Sequence, residues 1–406
     1  MPALTLLPSI LLALRVAAGP VLVEDNFISL PISRRFNFTG TKTVHQNDLA
    51  RVAAFKNGGA KASRAVVSEP VSNQVVTYIA SVGVGSPATT YQLIVDTGSS
   101  NTWVGATQKY VVTSTSTKTT QSVSVTYGSG SFSGTEYTDQ VTLAPGLVIA
   151  KQSIGVASKS SGFSGVDGIL GIGPVDLTEG TLTKSTSTLI PTVTDNLFGQ
   201  GTITNDLIGI SFEPTTSEDD NNGSIAFGGT DSSKFTGSIA FTPLTTTSPA
   251  REYWGINQAI TYGTSGTSIL ASTAGIVDTG TTLVLIASNA FTKYKAATGG
   301  VLDSTTGLLK LTATQFANLQ NLNFVISGTT YALTPNAQIF PRSLNTQIGG
   351  TSTGIYLIVA DLGSNSGEGL DFINGYAFLE RFYSVFDTAN KQVGFATTPF
   401  TTATTN

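Results

Sequence analysis

The sequence predicts an all-β protein built as two β-rich lobes. Three observations predict it. Short β-branched stretches bounded by Gly, Pro, Asn or Ser recur along the chain. Helical periodicity is rare. One pentapeptide, Ile94-Val95-Asp96-Thr97-Gly98, returns unchanged as Ile276-Val277-Asp278-Thr279-Gly280, 182 residues later. The chain of 406 residues is long enough for two lobes. Its 43 Gly and 11% charged residues, against about 25% in an average soluble domain, suit a secreted β-rich protein.

The elements follow in order. The apolar run Leu4–Leu14, then Arg15 and the small residues Val16-Ala17-Ala18-Gly19, predict a signal peptide over residues 1–19 and a secreted, extracellular protein. The run is about half of the roughly 20 residues a membrane span requires, and the polar end Thr401–Asn406 is unlike a lipid-anchor tail. From Pro20 to Arg64, seven Lys or Arg stand against three acids, a net charge of +4, whereas residues 65–406 carry −9. A basic leader before an acidic body predicts a pro-segment over residues 20–64, held partly by charge.

Strands are predicted at Val75–Val84, Tyr91–Val95, Ser122–Tyr127, Gln140–Leu143, Ile208–Phe212, Gly237–Thr242 and Phe324–Leu333. Helices are predicted at Ser288–Ala297, with Ser288 as its cap, and at Ala377–Tyr383. Thr113–Thr120 and Thr183–Thr188 read as polar surface loops, and Asn37-Phe38-Thr39 and Asn222-Gly223-Ser224 as glycosylation sequons. A linker near Pro243–Pro249 divides an N-terminal lobe, 65–245, from a C-terminal lobe, 246–406.

Composition then narrows the chemistry. With no Cys and a single His, His45 in the leader, a mature chain starting near residue 65 has no imidazole or thiol. Ser-His-Asp and Cys-His mechanisms need an imidazole and zinc sites draw on Cys and His, so no metal and no cofactor are expected. A net charge of −4 argues against nucleic acid or an anionic membrane as partner. Carboxylates remain. Each copy of the pentapeptide puts one after a hydrophobic strand, then a hydroxyl, then a Gly that permits a tight turn and close approach. Two such loops brought together set two carboxyls side by side. Such a pair shares one proton: the ionised member draws a proton from water while the protonated member polarises a carbonyl.

These residues resemble the pepsin-like aspartic endopeptidases, over nearly everything from Ala65 onward. The resemblance implies the bilobal pepsin-like acid protease fold, two pseudo-symmetric β-barrel lobes with the active-site cleft between them, with Asp96 and Asp278 as the catalytic pair. Thr97 and Thr279 would bond across the lobes, Gly98 and Gly280 would complete the turns, and Ser99 and Thr281 would hold the outer carboxylate oxygens. Tyr127-Gly128-Ser129-Gly130 resembles the flap that closes over substrate, with Tyr127 hydrogen-bonding toward Trp103. Asp167-Gly168-Ile169-Leu170-Gly171 and Phe372-Ile373-Asn374-Gly375 resemble the segments threaded behind the two loops. Tyr127, Phe132, Ile169 and Ile373 would line subsites for bulky apolar side chains.

Two positions depart from the family pattern: Asn374, where an apolar residue is frequent, and Tyr376, where an Asp is frequent and bears on the pH optimum. The leader would act as an intramolecular inhibitor, with Lys61 or Arg64 reaching the dyad, and be cut near Arg64-Ala65 in acid. Protein or peptide substrates and a monomer are expected. An inactive pepsin-like binding or inhibitor protein would typically have lost an Asp or its Thr-Gly support, and both are intact here. A carbohydrate-active enzyme with two carboxylates would expose more Trp than Trp103 and Trp254, the two the chain has.

Overall fold

The strand that leads to the first Asp-Thr-Gly loop lies in one sheet and the strand that leads to the second lies in another. In this computed structural model, residues 27–38, 42–57, 74–128, 130–217 and 220–405 are described. The signal segment, Lys61, Arg64 and the expected cut site lie outside them, as do Ser129 and part of the Asn37 sequon.

In the first lobe, β2 (Gln74–Val84), β3 (Thr89–Asp96), β4 (Trp103–Val104), β5 (Thr117–Thr126), β6 (Ser131–Ala144), β7 (Leu147–Ser161) and β8 (Gly168–Gly171) belong to one sheet. The ring β2-β3-β8-β4-β7-β6 closes through pairing of Gly83 and Val84 with Thr142 and Val141, which makes a six-stranded barrel. Closure removes the free edges that an open sheet exposes. Alternation decides the faces: Tyr91, Leu93 and Val95 of β3 are all fully buried.

The leader belongs to this architecture. Ile28–Phe38 forms β1, which pairs on one side with β2 and on the other with Asp220–Phe227. Leu30, Ile32 and Arg34 point inward in turn. Val44–Lys56 forms helix α1, opened by a capping box in which Thr43 and Gln46 exchange bonds, with Val44, Asp48, Val52 and Phe55 on its buried face.

The second lobe carries a seven-stranded sheet that includes Gly255–Tyr262, Thr267–Val277, Val284–Ile286 and Phe372–Asn374. Three expectations are corrected in detail. Phe324–Leu333 is a hairpin, Leu322–Ile326 and Thr329–Leu333, folded at Ser327-Gly328, where both residues have positive φ. The helix expected to Tyr383 spans only Tyr376–Leu379, because the aromatic run Phe382–Asp387 pairs as a strand with Gln392–Thr397. Ser288 does not cap its helix: Ala287 holds the cap position, and the Ser288 hydroxyl donates to Asp361 Oδ1 at 2.6 Å. The Thr113–Thr120 stretch also divides, since Thr117 onward is strand while Thr115 and Ser116 donate to Asp139.

Candidate active site

The two Asp-Thr-Gly loops are built alike. β3 runs parallel to β8, with Ile94 beside Ile169 and Asp96 beside Gly171. In the second lobe Thr267–Val277 runs parallel to Phe372–Asn374, with Ile276 beside Ile373. Each carboxylate is then held by its own turn. Asp96 Oδ1 accepts the Gly98 N–H at 3.0 Å and Oδ2 the Ser99 hydroxyl at 2.5 Å. Asp278 Oδ1 accepts the Gly280 N–H at 3.1 Å and Oδ2 the Thr281 hydroxyl at 2.5 Å.

The loops are also tied to one another. The Thr97 N–H donates to Thr279 Oγ1 at 3.0 Å and the Thr279 N–H to Thr97 Oγ1 at 2.9 Å. Their hydroxyls donate onward to Val277 and Val95 carbonyls of the opposite lobe. All four groups are buried, so each lost partner would leave a desolvated polar atom costing about 1–3 kcal/mol. Glycine is required at both turns by closeness: a Cβ on Gly98 would lie 2.6 Å from Asp278 Oδ1, and one on Gly280 2.6 Å from Asp96 Oδ1. Both aspartates are fully buried. Burial pushes Asp278 up, the Arg51 charge opposes this, and the neighbouring Asp96 charge adds to it.

The group between them is Arg51 of α1. Its Nη2 lies 2.8 Å from Asp96 Oδ1 and 2.8 Å from Asp278 Oδ2, and its Nε donates to Asp278 Oδ2 at 3.1 Å. Among the described residues the leader cation at the dyad is Arg51; Lys61 and Arg64, which the sequence suggested, lie outside them. With seven cations in the leader, only the docking of α1 selects one. The same helix places Asp48 against the second loop, where its carboxylate accepts the N–H groups of Thr282 and Leu283 at 3.1 and 2.9 Å. Burial pushes Asp48 up to about 7, against those hydrogen bonds and Arg51, which pull it down. His45 Nε2 donates to the Asp361 carbonyl at 2.6 Å, and Lys56 pairs with Glu368 at 2.6 Å.

The flap residues sit above this helix. Tyr127 and Gly130 exchange backbone bonds at the tip of the β5–β6 hairpin. Gly128 rests on the helix backbone: a Cβ there would lie 2.3 Å from the Ala50 carbonyl and Arg51 Cα. The Tyr127 ring is 6.5 Å from Trp103, and Trp103 stacks on Phe132 at 4.2 Å. Burial pushes the Tyr127 hydroxyl well up, and Trp103 beside it works against this.

A small cavity of about 50 Å³ remains between α1 and the first lobe, beside Asp96, walled by Ile94, Tyr127, Phe163, Val166 and Ile169. Ile373, expected at a subsite, is instead fully buried between Ile276 and Leu285. Phe132 is buried behind Trp103. Sequence reasoning missed Phe163 and Arg51; the aromatic lies in the loop 162–166, which carries no motif.

The two departures have physical partners. Asn374 exchanges amide bonds with Gln258 at 2.8 and 3.1 Å in a fully buried pair, and its carbonyl accepts the Asp278 N–H at 3.1 Å. Tyr376 lies under the leader, its ring 5.4 Å from the Arg34 guanidinium and 6.0 Å from Tyr78. Arg34 also reaches Glu380 at 3.4 Å, and Tyr78 donates to Glu380 at 3.2 Å.

Comparison with known proteins covers most of the chain. A family model described as eukaryotic aspartyl protease matches residues 77–398. Polyporopepsin of Irpex lacteus is 70% identical over 339 residues, covering 84% of this chain and 99% of that protein. Gastricsin of Cavia porcellus is 31% identical over 362 residues, covering 84% of this chain and 86% of that protein. The crystal structure of the aspartic proteinase from Irpex lacteus superimposes with a TM-score of 0.81 at 62% identity, over 94% of this chain and 100% of that one.

Proposed function

As a chain that belongs to the eukaryotic aspartyl protease family and is an aspartic endopeptidase, this protein, we propose, cuts internal peptide bonds with a water activated between Asp96 and Asp278. The observation that carries this reading is the mirrored seating of the two carboxylates, each held by one Gly N–H and one hydroxyl. The ionised member of the pair takes a proton from water as its oxygen adds to the carbonyl carbon, and the protonated member hydrogen-bonds the carbonyl oxygen. A proton then passes to the amide nitrogen, the C–N bond breaks, and an acid and an amine leave. The apolar walls of the cavity beside Asp96 favour bulky hydrophobic side chains at the cut bond.

The protein is secreted as a zymogen on this reading, with a signal peptide over 1–19, a leader over 20–64 removed near Arg64-Ala65, and lobes 65–245 and 246–406. Arg51 neutralises the pair while α1 lies across the cleft. The sign of the pH effect follows from the charges. The Arg51 charge opposes the burial that pushes Asp278 up, so its pairing with ionised Asp278 holds the docked state while that carboxylate is charged and is lost as pH falls and the carboxylate takes its proton. Asp48 works oppositely: docking raises it to about 7, so its contribution is greatest in acid and lost as pH rises through 7. Release in acid requires the Arg51 contribution, with that of Lys56, to outweigh Asp48. Acid operation also suits Glu136, whose burial pushes it up to about 7; its contribution to folding is present in acid and lost as pH rises through that value.

The test is casein hydrolysis at pH 3 to 5 by acid-treated chain, with and without pepstatin. Pepstatin-sensitive cleavage is expected. Absence of cleavage after the leader is gone would favour an inactive binding protein, a reading that the two intact Asp-Thr-Gly loops disfavour.

A further inference from the structure

Helix α1 is a cast of the cleft it fills, and one of its contacts recognises a charge rather than an apolar group. Arg51 marks the dyad. Lys56 lies five residues further along, about 7.5 Å at 1.5 Å per residue. Its Nζ donates to Glu368 Oε2 at 2.6 Å and to the Ser364 hydroxyl. The preceding Phe55 lies over a hollow shared with Gly98, Ser99 and Gly128, so Lys56 continues the cleft on that side.

Glu368 is presented by a structured loop. Its N–H donates to Asp371 Oδ1 at 3.1 Å and the Gly367 N–H to Asp371 Oδ2 at 2.8 Å, and Asp371 is itself fully buried. The Glu368 side chain keeps 54% of its exposure with Lys56 upon it. The Lys56 hydrogen bond and charge hold Glu368 below the usual range for Glu. When the leader departs, carboxylate and hydroxyl stay at the rim without their cation.

We propose that Glu368 and Ser364 form a subsite selecting a Lys or Arg side chain of the peptide substrate, two to three residues from the bond cut. The spacing follows from about 7.5 Å divided by about 3.3 Å per extended residue. The proposal rests on the cleft being the peptide site of the proposed endopeptidase. Charged groups facing Glu368 are Lys56 of α1 and, behind it, Asp371.

The test uses leader-free enzyme and short peptides with a fixed apolar pair at the cut. A single Lys, or its uncharged isostere norleucine, is placed in turn at each of three positions on either side. At pH 5.5 one position two or three residues from the cut should favour Lys about 2- to 5-fold in kcat/KM, the range of an exposed ion pair. The ratio should fall towards one at pH 3 as the carboxylate takes its proton. Glu368→Gln should bring that ratio to about one at both pH values, and Glu368→Lys should invert it in favour of Glu. A Lys-to-norleucine ratio equal in parent and Glu368→Gln at every position would overturn the subsite while leaving the peptidase intact. Failure of the parent to cut any peptide of either series would overturn the peptidase reading, and the subsite with it.

Discussion

Leader-free Asp96→Asn and Asp278→Asn chains are expected to hydrolyse casein at least about a thousand-fold more slowly than the parent, at every pH from 3 to 6. An amide in place of either carboxylate cannot share the proton. The pair loses either its base for water or its acid for the carbonyl, and general acid–base assistance is worth about 10²–10⁴ by itself. The fold should survive, because an Asn oxygen can still accept the Gly98 or Gly280 N–H and the Thr97–Thr279 exchange does not involve the carboxylates. The measurement is initial rate beside a thermal melt. Cleavage by Asp96→Asn at the parent rate, resistant to pepstatin, would place the chemistry elsewhere.

Arg51→Ala acts in the opposite direction. The full-length chain at pH 6 should gain activity of about 10²-fold over the silent parent while its leader is still covalently attached. Removing one partner of a buried ion pair costs about 3–5 kcal/mol, and here two buried carboxylates lose the same cation. The remaining hold of α1 includes Asp48 on Thr282 and Leu283, His45 on the Asp361 carbonyl, Lys56 on Glu368, and the packing of Val52 and Phe55, whose ring meets Tyr253 at 4.8 Å. Intact mass recorded alongside peptide hydrolysis separates an unlatched leader from a cut one. A variant as silent as the parent would show that packing alone closes the cleft.

The legibility of this molecule differs sharply between body and leader. The dyad was visible because a duplicated pentapeptide carries strand, carboxylate, hydroxyl and turn together, and each lobe reuses them in the same register. The leader was not, for two reasons. In β1 the alternation Leu30, Ile32 is continued inward by Arg34, a charge that pattern reading assigns to solvent, and Pro31 argues for an edge although the strand lies within the sheet. In α1 the buried face mixes Val44, Val52 and Phe55 with Asn47 and Asp48, so no apolar stripe announces a helix. Both patterns make sense only once the body supplies Glu380, the dyad and the Thr282–Leu283 amides. Tyr376 is the same case from the other side: its partner Arg34 lies 342 positions earlier in the chain.

The central claim is that two coupled carboxylates, with no imidazole, govern the reaction. The most direct measurement is kcat/KM of the leader-free chain on one short peptide from pH 2 to 9. A bell is predicted, with both apparent pKa values belonging to the pair and lying below neutrality, and with the rate lost before pH 8. A rate that holds or rises from pH 7 to 9 would contradict it.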